Sequence, residues 1–142
     1  MSQDPLNFDT RVIHAGQQFD PVTGAVMPAI SVSSTYRQCS PGEHTGYEYG
    51  RTHNPTRQAW ERAVADLEGG AQAFAFASGL AAMATVLDTL PAGAHIVASA
   101  DLYGGSYRLF EGVRKYSAGL RVSYVDSRDS EAVRASLRPD TK

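Results

Sequence analysis

The sequence predicts an α/β protein with a mainly parallel sheet, and three observations support this prediction. From residue 54 onward, helix and strand patterns alternate regularly, which is typical of a parallel sheet flanked by helices. Apolar runs such as HIVAS and LRVSYVD have the length of short buried strands. The chain has 142 residues, 42% of them apolar, and a net charge of −2, so it is long enough to bury the core of one ordinary domain.

The N-terminal residues 1–53 differ in character from the rest of the chain. They contain several prolines and glycines and polar runs such as SVSST, without a regular period. Their apolar side chains, among them Val12 and Ile13, argue against plain disorder. We therefore predict an extended arm over 1–53 that docks on a neighbouring subunit, and the first βα units of a larger, incomplete domain over 54–142.

The first predicted helix begins after Asn54, which can cap it, and Pro55 occupies a position where no amide donor is needed. The pair Gly69-Gly70 ends this helix. Its apolar face, at helical spacing, consists of Trp60, Ala63, Val64 and Leu67.

Three further strand–helix units are predicted after it. A buried strand over 73–77 leads into a helix that ends before Pro91, and a strand over 95–99 leads into a helix over 105–117. A strand over 120–126 and a helix over 130–138 follow, which gives three parallel strands with right-handed crossovers. The side chains predicted to face the core are Leu80, Met83, Ala84 and Leu87 in the helix after the first strand, and Tyr107, Phe110 and Val113 in the next.

Composition argues against several classes of protein. Basic residues form no stripe, so nucleic acid is not an expected partner, and no apolar stretch reaches the roughly 18 residues of a membrane helix. The polar N-terminus lacks the apolar core of a signal peptide, and the single Cys39 excludes an internal disulfide. We predict a cytoplasmic protein without a metal site.

Two loops at the predicted carboxyl edge of the sheet could bind a ligand. At Ser78-Gly79-Leu80, the amides of a helix start could bind a phosphate, although such a junction is more often only a helix cap. In the loop DLYGG, Tyr103 could stack on a flat ring, and the paired glycines indicate a close approach to the backbone.

A third candidate lies in the arm, where Tyr49 and Arg51 are two residues apart. Both side chains reach the same side if the segment is extended, and a phenol with a guanidinium fork suits a phosphate. A solvated surface arginine is the simpler interpretation of Arg51, but the two phosphate-compatible loops downstream weaken it.

Together these stretches resemble the Cys/Met-metabolism family of pyridoxal-phosphate (PLP) enzymes, which act in trans-sulfuration. The resemblance covers nearly the whole chain, through TRVIHAGQ, GAVMPAISVSSTY, GYEYGRTHNPTR, LEGG, AFASGLAAM, DLYGGSYRLF and VSYVD. It implies the PLP-dependent transferase-like fold (fold type I), of which this chain would be the N-terminal part, and an amino-acid substrate.

The resemblance also implies how the cofactor would be held. Ser78, Gly79 and Leu80 would bind its phosphate, chiefly through the backbone amides, and Tyr49 and Arg51 would reach the same phosphate from the neighbouring subunit. The active site would therefore be shared in a homodimer, and the family implies a homotetramer.

Further roles follow from the same resemblance. Tyr103 would stack on the pyridine ring and act as a catalytic acid or base, while Glu48 and Arg108 would lie toward the distal end of the substrate. Gly50 stands where the family often has serine, so a looser grip on the phosphate is expected. The family's Schiff-base lysine and its partners would lie beyond Lys142, so the chain is expected to be the front part of a longer enzyme and inactive alone.

The resemblance favours γ-elimination of cystathionine, giving cysteine, 2-oxobutanoate and ammonia, because Gly105 and Arg108 suit a substrate with a distal charge. Alternatives are γ-replacement on an O-acyl-homoserine, as in cystathionine γ-synthase, and methionine γ-lyase activity. A different class of alternative is an inert fragment that only packs against a partner chain. A nucleotide-binding α/β domain would use Asp101 to bind a ribose, but it leaves the arm unexplained.

Overall fold

The computed structural model describes residues 6–142, which form two compact units. The first unit ends at Ala75 and the second runs from Phe76 to Lys142. Helices and a parallel strand pair confirm the predicted α/β class. Within residues 6–142, no helix has the length and apolar character needed to cross a bilayer. The predicted boundary between residues 53 and 54 stays a prediction.

The first unit contains two helices and a small hairpin. Helix α1 (Phe8–His14) is capped by the side chain of Asn7, and strands β1 (Gln38–Ser40) and β2 (Glu43–His44) pair antiparallel. The arm is therefore not irregular throughout, because a capped helix of two turns and a hairpin too short to show a period interrupt it.

Helix α2 (Pro55–Leu67) begins and ends as predicted. The Asn54 side chain accepts hydrogen bonds from the amides of Thr56 (2.9 Å) and Arg57 (3.3 Å), and Gly69 follows the helix with φ +67°. Trp60, which belongs to the predicted apolar face of this helix, is 63% exposed in the part of the chain that the structure describes. An ion pair between Arg11 and Asp66 (2.9 Å) links α1 to α2.

The second unit is built on two parallel strands. Helix α3 (Gly79–Asp88) precedes β3 (His95–Ser99), and β4 (Arg121–Val125) pairs with β3 in the register His95–Arg121 to Ser99–Val125. Helix α6 (Ser130–Ser136) follows, and Thr141 makes an isolated parallel bridge to His95. Between the strands lie α4 (Gly104–Tyr107), a π-helical segment (Arg108–Arg114) and α5 (Lys115–Ser117), in immediate succession.

The predicted strand over 73–77 is wrong. No ladder partner exists for it among residues 6–142, and the amide of Ala75 donates instead to Glu61 Oε1 (2.9 Å). Because a strand is defined by its neighbours, an apolar run without them does not form one. In place of the predicted three parallel strands, the second unit has the two strands β3 and β4 and a single-residue bridge from Thr141 to His95.

The core of the second unit is formed by Ala94, Phe110 and Leu120, with Met83 and Leu87 of α3 packed against it. Tyr107 (53% exposed) and Val113 (50% exposed) do not face the core as predicted. The prediction assumed 3.6 residues per turn, whereas the π-helical segment winds with i to i+5 hydrogen bonds, which rotates Val113 away from Phe110. Leu80, at the first turn of α3, is also exposed.

Candidate functional site

Helices α3 and α4 both begin at the carboxyl edge of β3. The chain returns from the end of α3 to the start of β3 within six residues, so α3 runs opposite to the strand. Four residues separate the end of β3 from the start of α4, and α3 lies against α4. The ion pair of Arg114 with Asp88 (2.6 Å) links the π-helical segment that follows α4 to the end of α3. Ligands of open α/β sheets bind at this edge.

The start of α3 has the geometry of an anion cradle. Ser78 caps the helix, and its Oγ accepts a hydrogen bond from the amide of Ala81 (3.1 Å). The amides of Gly79 and Leu80 have no hydrogen-bond partner within the part of the chain that the structure describes. A Cβ at Gly79 would meet nothing within 4 Å, so the start of this helix is not packed against other atoms on the Cβ side of Gly79. The Ser78 Oγ accepts the capping hydrogen bond, and its O–H can still donate, so this junction offers a ligand two backbone amides and one hydroxyl.

Tyr103 stands at the start of α4 with its side chain 72% exposed. Its carbonyl oxygen accepts hydrogen bonds from the amides of Ser106 (2.8 Å) and Tyr107 (3.2 Å), so its backbone is fixed while its ring is presented at the sheet edge. An exposed aromatic ring with a polar tip can stack on a flat ligand and exchange a proton with it. The structure thus places Tyr103 and the Gly79 cradle in the same unit, at one edge of the sheet.

Arg108 begins the π-helical segment, and its guanidinium makes no ion pair with any residue from 6 to 142. Its Nη1 lies 3.6 Å from where a Cβ of Gly104 would be, so the side chain folds back along the first turn of α4. π-helical segments are rare and are frequently found at functional sites. No residue pattern in the sequence predicts this segment.

A hydrogen-bond network holds the π-helical segment on the sheet. Tyr124 of β4 donates to Glu111 Oε1 (3.1 Å), and Lys115 donates to Glu111 Oε2 (2.8 Å). The hydrogen bond from Lys115 lowers the pKa of Glu111, and burial beside Glu111 raises the pKa of Tyr124 to about 12. Both groups therefore keep their charge state near neutral pH, and their hydrogen bond joins the π-helical segment to β4.

The segment with Glu48, Tyr49 and Arg51 is in the first unit, held by backbone hydrogen bonds. Tyr36 donates its amide to Glu48 O (3.1 Å), Gly50 donates to Ser34 O (2.7 Å), and Thr35 bridges Tyr49. The expected looseness at Gly50 gains no support from this geometry, since a Cβ there would lie 3.0 Å from Ser33 O. Glycine at this position lets two backbone segments approach closely.

The side chain of Arg51 is presented to solvent on a fixed backbone. Arg57 donates to the carbonyl oxygens of Arg51 (3.3 Å) and Thr52 (2.6 Å) and anchors the turn. The Arg51 guanidinium lies 5.1 Å from the centre of the Tyr49 ring, and no carboxylate from residues 6–142 pairs with it. The side chains of Tyr49 and Arg51 therefore lie together, as the spacing predicts.

Two cavities contain residues that the sequence does not single out, apart from Asp101, the candidate ribose ligand of the nucleotide-binding alternative. One of about 440 Å³ lies at the carboxyl edge of β3 and β4, beside Asp101, Asp126 and Arg128. Hydrogen bonds from Arg128 lower the pKa of Asp126 and satisfy that carboxylate. Another, of about 610 Å³, lies in the first unit and holds no predicted site residue. Within residues 6–142, no group of three or more His, Cys, Asp or Glu side chains could hold a metal ion.

Comparison with known proteins gives consistent matches. The model of the family described as Cys/Met metabolism PLP-dependent enzyme matches residues 9–142. The cystathionine beta-lyase of Coxiella burnetii is 61% identical over 96% of this chain and 35% of that protein. A probable cystathionine gamma-synthase of Herpetosiphon aurantiacus is 50% identical over 95% of this chain and 42% of that protein.

A solved structure also superposes closely on the chain. The cystathionine gamma-lyase from Lactobacillus plantarum, complexed with L-serine, matches with a TM-score of 0.88 and 46% identity, over 96% of this chain and 35% of that one. The chain thus spans 35% to 42% of the length of these three proteins.

Proposed function

The chain belongs to the Cys/Met metabolism PLP-dependent enzymes, and from this premise we propose that the full-length protein is a PLP-dependent lyase that cleaves a carbon–sulfur bond of cystathionine. The observation that carries the proposal is that one unit holds both the amides of Gly79 and Leu80, which have no hydrogen-bond partner among residues 6–142, and the exposed ring of Tyr103. A phosphate ester with a flat aromatic ring would engage both features at once.

The residues at this edge fit PLP. The amides of Gly79 and Leu80, at the positive end of the α3 dipole, would hold the phosphate of PLP. Tyr49 and Arg51 of a second copy would complete the phosphate site. This proposal is supported by their exposed side chains and by the lack of a carboxylate partner for Arg51 among residues 6–142. When bound, PLP supplies an electron sink that stabilises negative charge formed on the substrate.

Tyr103 would orient the pyridine ring by stacking and move a proton at its Oη, to or from the substrate amine or the departing sulfur. Glu48 and Arg108 would lie toward the distal end of the substrate, where Arg108 would pair with a carboxylate. Arg108 is suited to this role because the described residues leave its guanidinium without an acidic partner.

The proposed reaction is γ-elimination, in which cystathionine and water give cysteine, 2-oxobutanoate and ammonia. The second candidate is β-elimination, which gives homocysteine, pyruvate and ammonia, and the 61% identity to a protein named cystathionine beta-lyase favours it. Incubation of the full-length protein and PLP with cystathionine, followed by chromatographic identification of the 2-oxo acid and the thiol, separates the two. Absence of both product pairs would refute a cystathionine lyase.

We further propose a homodimer with a shared active site, assembled into a tetramer, in the cytoplasm. Support comes from the apolar side chains that the first unit leaves exposed. They include Phe8, Val12, Ile13, Phe19, Val26 and Ile30, each more than half exposed.

Replacing Arg51 by alanine should weaken PLP binding by the full-length protein about 10- to 100-fold, because a charge-assisted hydrogen bond to the phosphate is lost. Titration of the cofactor-free protein with PLP, followed by absorbance, measures the loss. Arg37→Ala is the matched control, since it removes the same charge from an exposed site in the same unit. Equal affinities for the Arg51 and Arg37 variants would argue against the phosphate role.

Replacing Arg108 by alanine should raise KM for cystathionine roughly 10-fold, because a hydrogen-bonded ion pair with the distal carboxylate is lost. Methionine, which has no distal carboxylate, should show little change in KM. Steady-state kinetics with both substrates measures the difference, and Arg108→Lys should lie between the wild type and Arg108→Ala. The assignment is refuted if KM rises equally for both substrates.

A further inference from the structure

The π-helical segment separates Arg108 from the nearest acidic residue of its own helix. Glu111 follows Arg108 by three residues, and on an α-helix residues three apart are neighbours, so a carboxylate and a guanidinium at this spacing attract each other. The segment winds instead with i to i+5 hydrogen bonds, and this wider turn moves residues three apart off a common face. Within residues 6–142, no ion pair joins Glu111 to Arg108, and Gly112, four residues after Arg108, has no side chain.

Both carboxylate oxygens of Glu111 are bonded to other groups. Oε1 accepts a hydrogen bond from the Tyr124 hydroxyl of β4 (3.1 Å), and Oε2 accepts one from Lys115 Nζ (2.8 Å). The ring of Tyr107 packs on the ring of Tyr124, with 5.7 Å between their centres. Tyr107 and Glu111, four residues apart, therefore both contact Tyr124, and this side of the segment is held on the sheet.

The side chain of Arg108 extends the other way along the chain. Its Nη1 lies 3.6 Å from where a Cβ of Gly104 would be, at the start of α4, whereas Glu111 follows Arg108 toward the C-terminus. A guanidinium binds a carboxylate through a planar fork of donors, so a carboxylate of the protein and one of a ligand compete for the same donors. With Glu111 bonded to Tyr124 and Lys115, the Arg108 fork is free of this competitor.

We infer that Tyr124 and Lys115 are positioning residues for substrate specificity, because they bind the Glu111 carboxylate and keep it from pairing with Arg108. The inference rests on the proposed function, in which Arg108 pairs with the distal carboxylate of cystathionine. If Glu111 loses both partners, its charged side chain turns toward the unpaired guanidinium, and a substrate carboxylate then has to displace it. The signature is a weaker interaction with substrates that carry a distal carboxylate, and with those alone.

The test removes both partners of Glu111 and keeps the bulk of each side chain. In the full-length protein loaded with PLP, Tyr124→Phe combined with Lys115→Met should raise KM for cystathionine about 3- to 5-fold, which is what competition by a partly exposed ion pair can cost. KM for methionine, which has no distal carboxylate, should stay near the wild-type value. Arg134→Met is the matched control for charge, since it removes a cation from an exposed site in the same unit, and it should leave both KM values unchanged.

A rescue separates competition by Glu111 from a general effect on the helix. Adding Glu111→Gln to the double variant should return KM for cystathionine to within about twofold of the wild type, because a neutral amide competes poorly with a carboxylate for a guanidinium. A raised KM that persists after Glu111→Gln would overturn the inference, since the network would then act only by holding the segment. An equal rise in KM for methionine, or no rise for cystathionine, would overturn it too.

Crystal structures of the cofactor-free full-length protein provide a measurement that does not depend on activity. In the double variant, a carboxylate oxygen of Glu111 should lie within 4 Å of the Arg108 guanidinium, whereas in the wild type it should stay on Tyr124. A Glu111 side chain that keeps away from Arg108 in the double variant would refute the inference. Failure of the wild type to cleave cystathionine would instead refute the proposed function, and the two crystal structures would still show whether Tyr124 and Lys115 hold Glu111.

Discussion

Replacement of Gly16 by alanine should destabilise the packing of the N-terminal segment on α2 by about 3 kcal/mol. Gly16 has φ +72°, a conformation that costs an L-residue roughly 1 kcal/mol or more. Its Cα also lies against the backbone of α2, where a Cβ would overlap Ala59 O and lie 2.6 Å from Ala63 N. Both obstacles are backbone atoms within a helix, so the segment has to move away.

Hydrogen exchange of the full-length protein, read by mass spectrometry on a peptide spanning residues 8–20, measures this effect. Amides of α1 should exchange at least 10-fold faster in Gly16→Ala, since local opening becomes easier. Gly24→Ala is the matched control: Gly24 has φ +73°, but a Cβ there would meet nothing within 4 Å. The control isolates the cost of the backbone conformation, and equal exchange in the two variants would show that contact with α2 contributes nothing.

Elements set by local chemistry were predictable from the sequence. Helix α2 carries its own start signal in Asn54-Pro55 and its own stop at Gly69, and strands β3 and β4 are short apolar runs between turns. Residues 73–77 share that apolar character, yet a strand also needs a neighbour, which composition cannot supply. The π-helical segment escaped prediction because the 3.6-residue period assumes an α-helix throughout.

The candidate site shows the same division between local and non-local information. The Ser78 cap and the Gly79 amides follow from a serine that directly precedes a helical apolar pattern, although no strand precedes them, and the pairing of Tyr49 with Arg51 follows from their spacing. The glycine pair was interpreted as making room for a ligand, whereas at Gly105 the room is filled by Tyr103. Whether a ligand or a neighbouring side chain fills the space beside a glycine depends on the direction in which that side chain points. This direction is set by the three-dimensional structure and cannot be read from residue spacing alone.

The backbone character of the proposed phosphate site can be tested by replacing Gly79 with proline, which removes one amide donor. Proline is tolerated at the first position of a helix, where its missing N–H has no partner in the helix. Ser78, with φ −157° and ψ 156°, already has the extended conformation that a residue before proline prefers. Open space around Gly79 leaves room for the ring.

Gly79→Pro should therefore fold with a thermal midpoint near that of the wild type but bind PLP about 10- to 100-fold more weakly, since a hydrogen bond to a charged group is worth about 1.5 to 3 kcal/mol. Gly79→Ala is the control that adds a side chain and keeps the donor. Titration of the cofactor-free full-length protein with PLP and with pyridoxal, which lacks the phosphate, measures both affinities. The loss in Gly79→Pro should be confined to PLP. An equal loss for pyridoxal would mean that residue 79 shapes the cleft, and the amide would then have no part in binding the phosphate.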